Sequence, residues 1–69
     1  MNGTPWVEKR LDYAGGTNLI YLGQHKSKGA TDEDSAWTIT KFIYDGSNNL
    51  ISSTGPVIGK WSERAALFQ

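Results

Sequence analysis

Trp37-Thr38-Ile39-Thr40-Lys41-Phe42-Ile43-Tyr44 decides how the chain reads, because β-branched and aromatic residues occupy nearly every position. Both faces of this run carry large apolar groups. Such a strand is predicted to be central, with Trp37 and Ile39 in the core while Phe42 and Tyr44 cover a second surface or meet a partner. The residues that follow, Asp45-Gly46-Ser47-Asn48-Asn49, are of types that tolerate the left-handed region and close side-chain hydrogen bonds onto the backbone. They predict a hairpin loop, with Leu50-Ile51-Ser52-Ser53 pairing back on the Trp37 strand.

Working outward toward the start, apolar spacing runs at period two far more often than at 3.6. Val7, Lys9, Leu11 and Tyr13 fall on one face of a strand and Glu8, Arg10 and Asp12 on the other. That suits a half-exposed antiparallel strand with the Lys9 stem lying over apolar surface. Ala14-Gly15-Gly16-Thr17-Asn18 supplies a turn, and Leu19-Ile20-Tyr21-Leu22 returns as the second arm of a hairpin. From Gln24 to Ser35 the chain is polar and charged and forms the longest loop, in which Thr31 and Asp34 have the spacing to cap one helical turn. Toward the end, Thr54-Gly55-Pro56 precedes Val57 and Ile58, and Trp61 to Phe68 reads as a strand or one helical turn.

Length and composition bound the rest. With 69 residues there is one domain, and a chain of this size buries only about 60% of the surface it exposes when unfolded. Lys plus Arg (7) equals Asp plus Glu (7), which argues against a strongly electrostatic partner such as nucleic acid. The absence of cysteine removes disulfides and thiolate zinc sites, and the single His25 offers no cluster for a metal. No apolar run approaches the ~20 residues needed to span a bilayer. Met1 to Trp6 lacks a basic region followed by an apolar one, so no secretory signal is expected, and Asn2-Gly3-Thr4 has no use as a glycosylation site without one.

Candidate chemistry is sparse. The glycines of Ala14 to Asn18 lack the spacing and the following helix of a phosphate loop. His25 between Gln24 and Lys26 reads as an exposed loop residue rather than a general base for a nucleophile. Asp32, Glu33 and Asp34 lack the alternation and glycine of a calcium loop, and Asp45, Asn48 and Asn49 are explained by the turn. Trp37, Phe42, Tyr44, Lys41 and Lys60 are the parts of a base-stacking platform. The acidic triplet before Trp37 and the neutral charge weigh against that use. No enzyme activity, cofactor or metal is expected.

Four ordered pieces carry a family resemblance. Ser35 to Asn49 resembles A-W-x-I-x-K-(I/L/F)-x-Y-D-G-x-G-N, Ile20-Tyr21-Leu22-Gly23 an I-Y-(I/L)-G strand, Gly29-Ala30-Thr31 a Gly-x-Ala-Thr loop, and Trp61 to Leu67 a W-x-x-R-A-x-L segment. In these pieces, spread from Leu19 to Leu67, the chain resembles small tailed-bacteriophage structural proteins; it departs from them at Gly55-Pro56-Val57-Ile58-Gly59, where relatives carry a more acidic, Trp-containing stretch. The resemblance implies a virion component, made in the bacterial host cytoplasm, of the tail, head–tail or fibre region, with capsid decoration as the alternative. A small phage-encoded regulator of a host enzyme and a nucleic-acid-binding module are the competing classes.

The combined expectation is an all-β domain over residues 1–69, a small antiparallel barrel or sandwich of four to six strands with at most one short helical turn. Residues 1–6 are expected to be a flexible or assembly-ordered arm. The domain packs against other virion proteins or copies of itself, without a membrane, through Trp6, Phe42, Tyr44, Trp61 and Phe68 as aromatic anchors. Arg64 joins them because its planar fork can hold a partner's carboxylate or carbonyl.

Overall fold

The computed structural model describes residues 6–69. The Asn2-Gly3-Thr4 pattern and all of the expected N-terminal arm except Trp6 lie outside the described residues. Four strands, β1 (Glu8–Asp12), β2 (Tyr21–His25), β3 (Trp37–Tyr44) and β4 (Leu50–Gly59), form one antiparallel sheet in the order β1-β2-β3-β4. The fold is all-β with one short helical segment. After β4 the chain makes a 3-10 turn over Trp61–Glu63 that runs into a single α-helical turn, α1 (Arg64–Leu67). The sheet is open, with β1 and β4 as its edges.

The strand at Trp37–Tyr44 has the predicted bounds and lies inside the sheet, between β2 and β4. The second strand starts two residues later than the Leu19 reading and runs on to His25. Thr31 and Asp34 close a plain turn in which the Asp34 N–H donates to the Thr31 carbonyl at 3.1 Å. The one helical turn forms at the other end of the chain, where Trp61 is drawn under the sheet.

The core sits on one face of the sheet. Trp37 and Ile39 are wholly buried, Trp61 is 5% exposed, and Ala30 closes the cluster from the long loop. Tyr21, Val57, Leu67 and Phe68 pack around it. Gly23 makes the arrangement possible, because a Cβ there would lie 2.6 Å from Trp61 Cε3 and 3.3 Å from Trp37 Cε3. The indole rings of Trp37 and Trp61, with centroids 6.3 Å apart, occupy the room that a β2 side chain would otherwise fill. Inside the core, the Trp37 indole N–H donates to the Thr31 carbonyl at 2.7 Å, so burial leaves no orphan donor on that ring.

β1 is turned the other way from its hydrophobic pattern. Glu8, Arg10 and Asp12 share the face of Tyr21, Gly23 and His25, their register partners, and are half-buried. Val7, Leu11 and Tyr13 are exposed. The reason is the chemistry of arginine: the Arg10 guanidinium lies 4.9 Å from the Trp37 ring centroid, and each of its three nitrogens donates to an oxygen. Arg10 Nε donates to Asp32 at 2.9 Å, Nη2 to the Ala30 carbonyl at 3.0 Å and Nη1 to the Lys9 carbonyl at 3.1 Å. A planar cation stacked on an indole covers apolar surface while its rim remains hydrogen-bonded.

Candidate functional site

The two faces of the sheet differ in kind. On the covered face, charged side chains form a lid over the tryptophans. Arg64, carried by α1, lies 4.5 Å from the Trp61 ring centroid and 5.9 Å from that of Tyr21. Its Nε donates to Asp12 at 2.7 Å and its Nη1 to the Trp61 carbonyl at 2.9 Å. The Ala14 N–H first, and the Arg64 guanidinium second, hold the Asp12 carboxyl below its usual pKa. Glu8 is also lowered, chiefly by the Gly29 N–H that donates to it at 2.9 Å, and Arg10 is raised, chiefly by Asp32. These contacts tie β1 to the long loop and to α1.

His25 is a correction to the exposed-loop reading. It is 5% exposed, edge-on to Trp37 with ring centroids 5.1 Å apart. Its Nδ1 accepts the Ser27 N–H at 2.9 Å, which places the ring proton on Nε2. Asp34 Oδ1 lies 2.9 Å from Nε2, an electrostatic contact rather than an aligned hydrogen bond, and the neighbouring ring is the main cause of Asp34's lowered pKa. The acidic triplet is thus spread over three basic side chains: Asp32 on Arg10, Asp34 on the His25 imidazole, and Glu33 at 3.9 Å from Lys60. Among the described residues no group of three His, Asp or Glu side chains is arranged to hold a metal.

On the opposite face, alternation from Trp37 and Ile39 brings out Thr38, Thr40 and Phe42. Register adds Lys9, Gln24 and Ile58 beside Thr38, and Leu11 and Leu22 beside Thr40. Leu11 is 53% and Ile58 63% exposed, and no element of the described chain crosses this face. At one end Trp6, Lys26, Ala36, Thr38 and Ile58 line a shallow depression, with the Lys26 ammonium 5.9 Å from the Trp6 ring centroid.

The sheet edges are guarded by different means. In β1, Glu8, Lys9, Arg10 and Asp12 put charge along the edge, whereas β4 has no charged residue. β4 instead carries two register irregularities opposite β3, one at Ile51 and one at Gly55-Pro56, and proline has no N–H to offer. Charges, bulges and edge prolines each discourage strand addition.

The six interface candidates from the sequence fall into separate places. Trp6 lines the depression and Phe42 lies on the open face, while the Tyr44 hydroxyl donates to the Leu19 carbonyl at 2.8 Å. Trp61 is in the core, where its ring is consumed by packing. Phe68 is half-buried against Tyr21, with ring centroids 5.8 Å apart, and Arg64 is engaged within the chain by Asp12 and Trp61. Leu11, Leu22 and Ile58 were not singled out by sequence; the parity of β1 and the register of β4 are what bring them together. Compared with known families, curated proteins and solved structures, the chain shows no match. Among the described residues no helix is long and apolar enough to cross a membrane.

Proposed function

We propose that the chain is a non-catalytic accessory structural protein of a bacteriophage particle, a tail, head–tail or fibre-associated component that packs against its neighbours through the open face of its sheet. One observation carries the reading: a four-stranded sheet covered on one side only, with Leu11, Leu22, Phe42 and Ile58 on the other. A sheet of this kind gains stability when both faces have a layer against them, and among the described residues no element supplies the second layer. The guarded edges favour face packing over strand addition. The expected sandwich or barrel then belongs to the assembly: an open sheet becomes half of one when a neighbour covers it. The phage context rests on the resemblance of Ser35 to Asn49 and of the Trp61 to Leu67 segment to small virion proteins.

A packing role also suits what the polar groups do. Arg10, Arg64, Asp12 and His25 are directed at partners within the chain, so they serve the fold rather than a substrate. Mass spectrometry of gradient-purified, salt-washed particles tests the reading. The chain is expected in the particle at a small fraction of the major capsid protein's copy number. Near-equal copy number would place it on the shell as decoration, and absence from particles would overturn the virion role in favour of a host-directed regulator.

A further inference from the structure

The geometry points to a second copy of this chain as the partner of the open face, two sheets packing face to face about a twofold axis to make an eight-stranded β-sandwich dimer. The inference rests on the open face being the contact surface, and it is independent of where the protein works.

Size is the first argument. Four strands spaced about 4.8 Å apart and roughly 17 Å long present a projected area of about 330 Å² per copy. With side-chain relief, two such faces bury on the order of 1,000 Å², at the lower end of what specific protein pairs use. Composition is the second. The row Leu11–Leu22–Thr40 and its neighbours Phe42 and Ile58 are apolar or hydroxyl-bearing, a surface able to pack on itself at the ~10 Å spacing of stacked sheets. Charge is the third. A net charge of zero removes long-range repulsion between copies. Among the described residues the face has no acidic side chain, and its lysines, Lys9 and Lys26, stand together at the end where Thr38 pairs with Ile58.

That placement also sets the orientation. A twofold perpendicular to the strands lays the lysine end of one copy over the Phe42 end of the other. The strands of the two sheets then run antiparallel, and no lysine faces its own copy. A closed isologous contact of this sort stops at two chains. Its weak, small interface implies a dissociation constant in the micromolar range or above.

Sedimentation equilibrium of the full chain across a concentration series tests this. The expected result is a reversible monomer–dimer equilibrium. Leu11→Lys and Ile58→Lys change side chains already exposed in the single copy, so the fold read by circular dichroism should persist while dimerisation weakens at least about tenfold. Ser52→Lys, at an exposed position paired with Ile43 on the opposite side of the sheet, should leave the equilibrium unchanged. A chain that stays monomeric up to about millimolar concentration overturns the inference. So does a dimer that survives both face substitutions, or one that Ser52→Lys dissolves. Because the readout is the oligomeric state of the isolated chain, its failure is separate from failure to find the chain in particles.

Discussion

Gly23 is the residue on which the core depends most. It is a close-approach position rather than a turn: a methyl group there meets the Trp61 ring at 2.6 and 2.8 Å, and two indoles cannot both retreat from a packed interior. Gly23→Ala is expected to destabilise by about 1–3 kcal/mol, read as a lower denaturant midpoint at unchanged slope. Ala14 presents the reverse case. It has φ 51° and is followed by Gly15 at φ 81°, with the Gly16 N–H donating to the Tyr13 carbonyl at 2.8 Å, so both central positions of the turn need positive φ. Alanine is strained there and glycine is not, so Ala14→Gly is expected to raise stability by about 1 kcal/mol in the same assay.

The carboxylates set the response to acid. Glu8, Asp12, Asp34 and Asp45 all have folded pKa values below their ordinary ones, by N–H donation from Gly29, Ala14, Ala36 and Asn49 and by the neighbouring cations or imidazole. A carboxyl lowered on folding stabilises the fold above its unfolded pKa, near 4, and that contribution is lost as pH falls through the folded value. The carboxylate contribution to stability should therefore be constant near neutrality and fall below about pH 4. Asp12→Asn should lower the neutral plateau and make the acid limb shallower, as followed by urea titrations at a series of pH values.

At the level of elements, β3 was fully legible: eight consecutive β-forming residues bounded by a loop composition fix a strand whatever surrounds it. β1 was legible as a strand but not in its facing. Period-two patterning assigns the apolar side inward, and here Arg10 and Asp12 point to the core side because Trp37 offers a ring for a guanidinium and Arg64 offers a partner for the carboxylate. Both partners are distant in sequence, 27 and 52 residues away, so no local window contains them. His25 was misread for the same reason, its burial coming from Trp37 and Ser27 rather than from its polar neighbours. The stacked arginines yield a prediction for α1. Arg64→Lys keeps the charge but loses the planar fork over Trp61 and the second donor, and is expected to cost about 1 kcal/mol in thermal or urea unfolding. If lysine substitutes without loss, the lid is not a stabilising device.

For the whole molecule, the consequence of β1's facing is a division of labour. The covered face consumes Trp37, Trp61 and the two arginines; the open face is left with Leu11, Leu22, Phe42 and Ile58. The aromatic anchors expected from sequence were sought among the largest side chains, and the fold had already used Trp61 and Phe68 for itself. What sequence could not reveal was which smaller apolar residues the register would gather on one surface. The proposed packing role and a second copy on that surface both depend on this one-sidedness.

The measurement that tests it most directly is solution NMR of the dilute, full chain with a soluble paramagnetic agent, which broadens side-chain signals according to their exposure. Leu11 and Ile58 are expected to broaden strongly, Arg10 and Asp12 to an intermediate degree, and Trp37, Ile39 and Trp61 to stay sharp. Leu11 protected while Arg10 and Asp12 broaden fully would mean that β1 faces the other way, and the open apolar face with everything built on it would be contradicted.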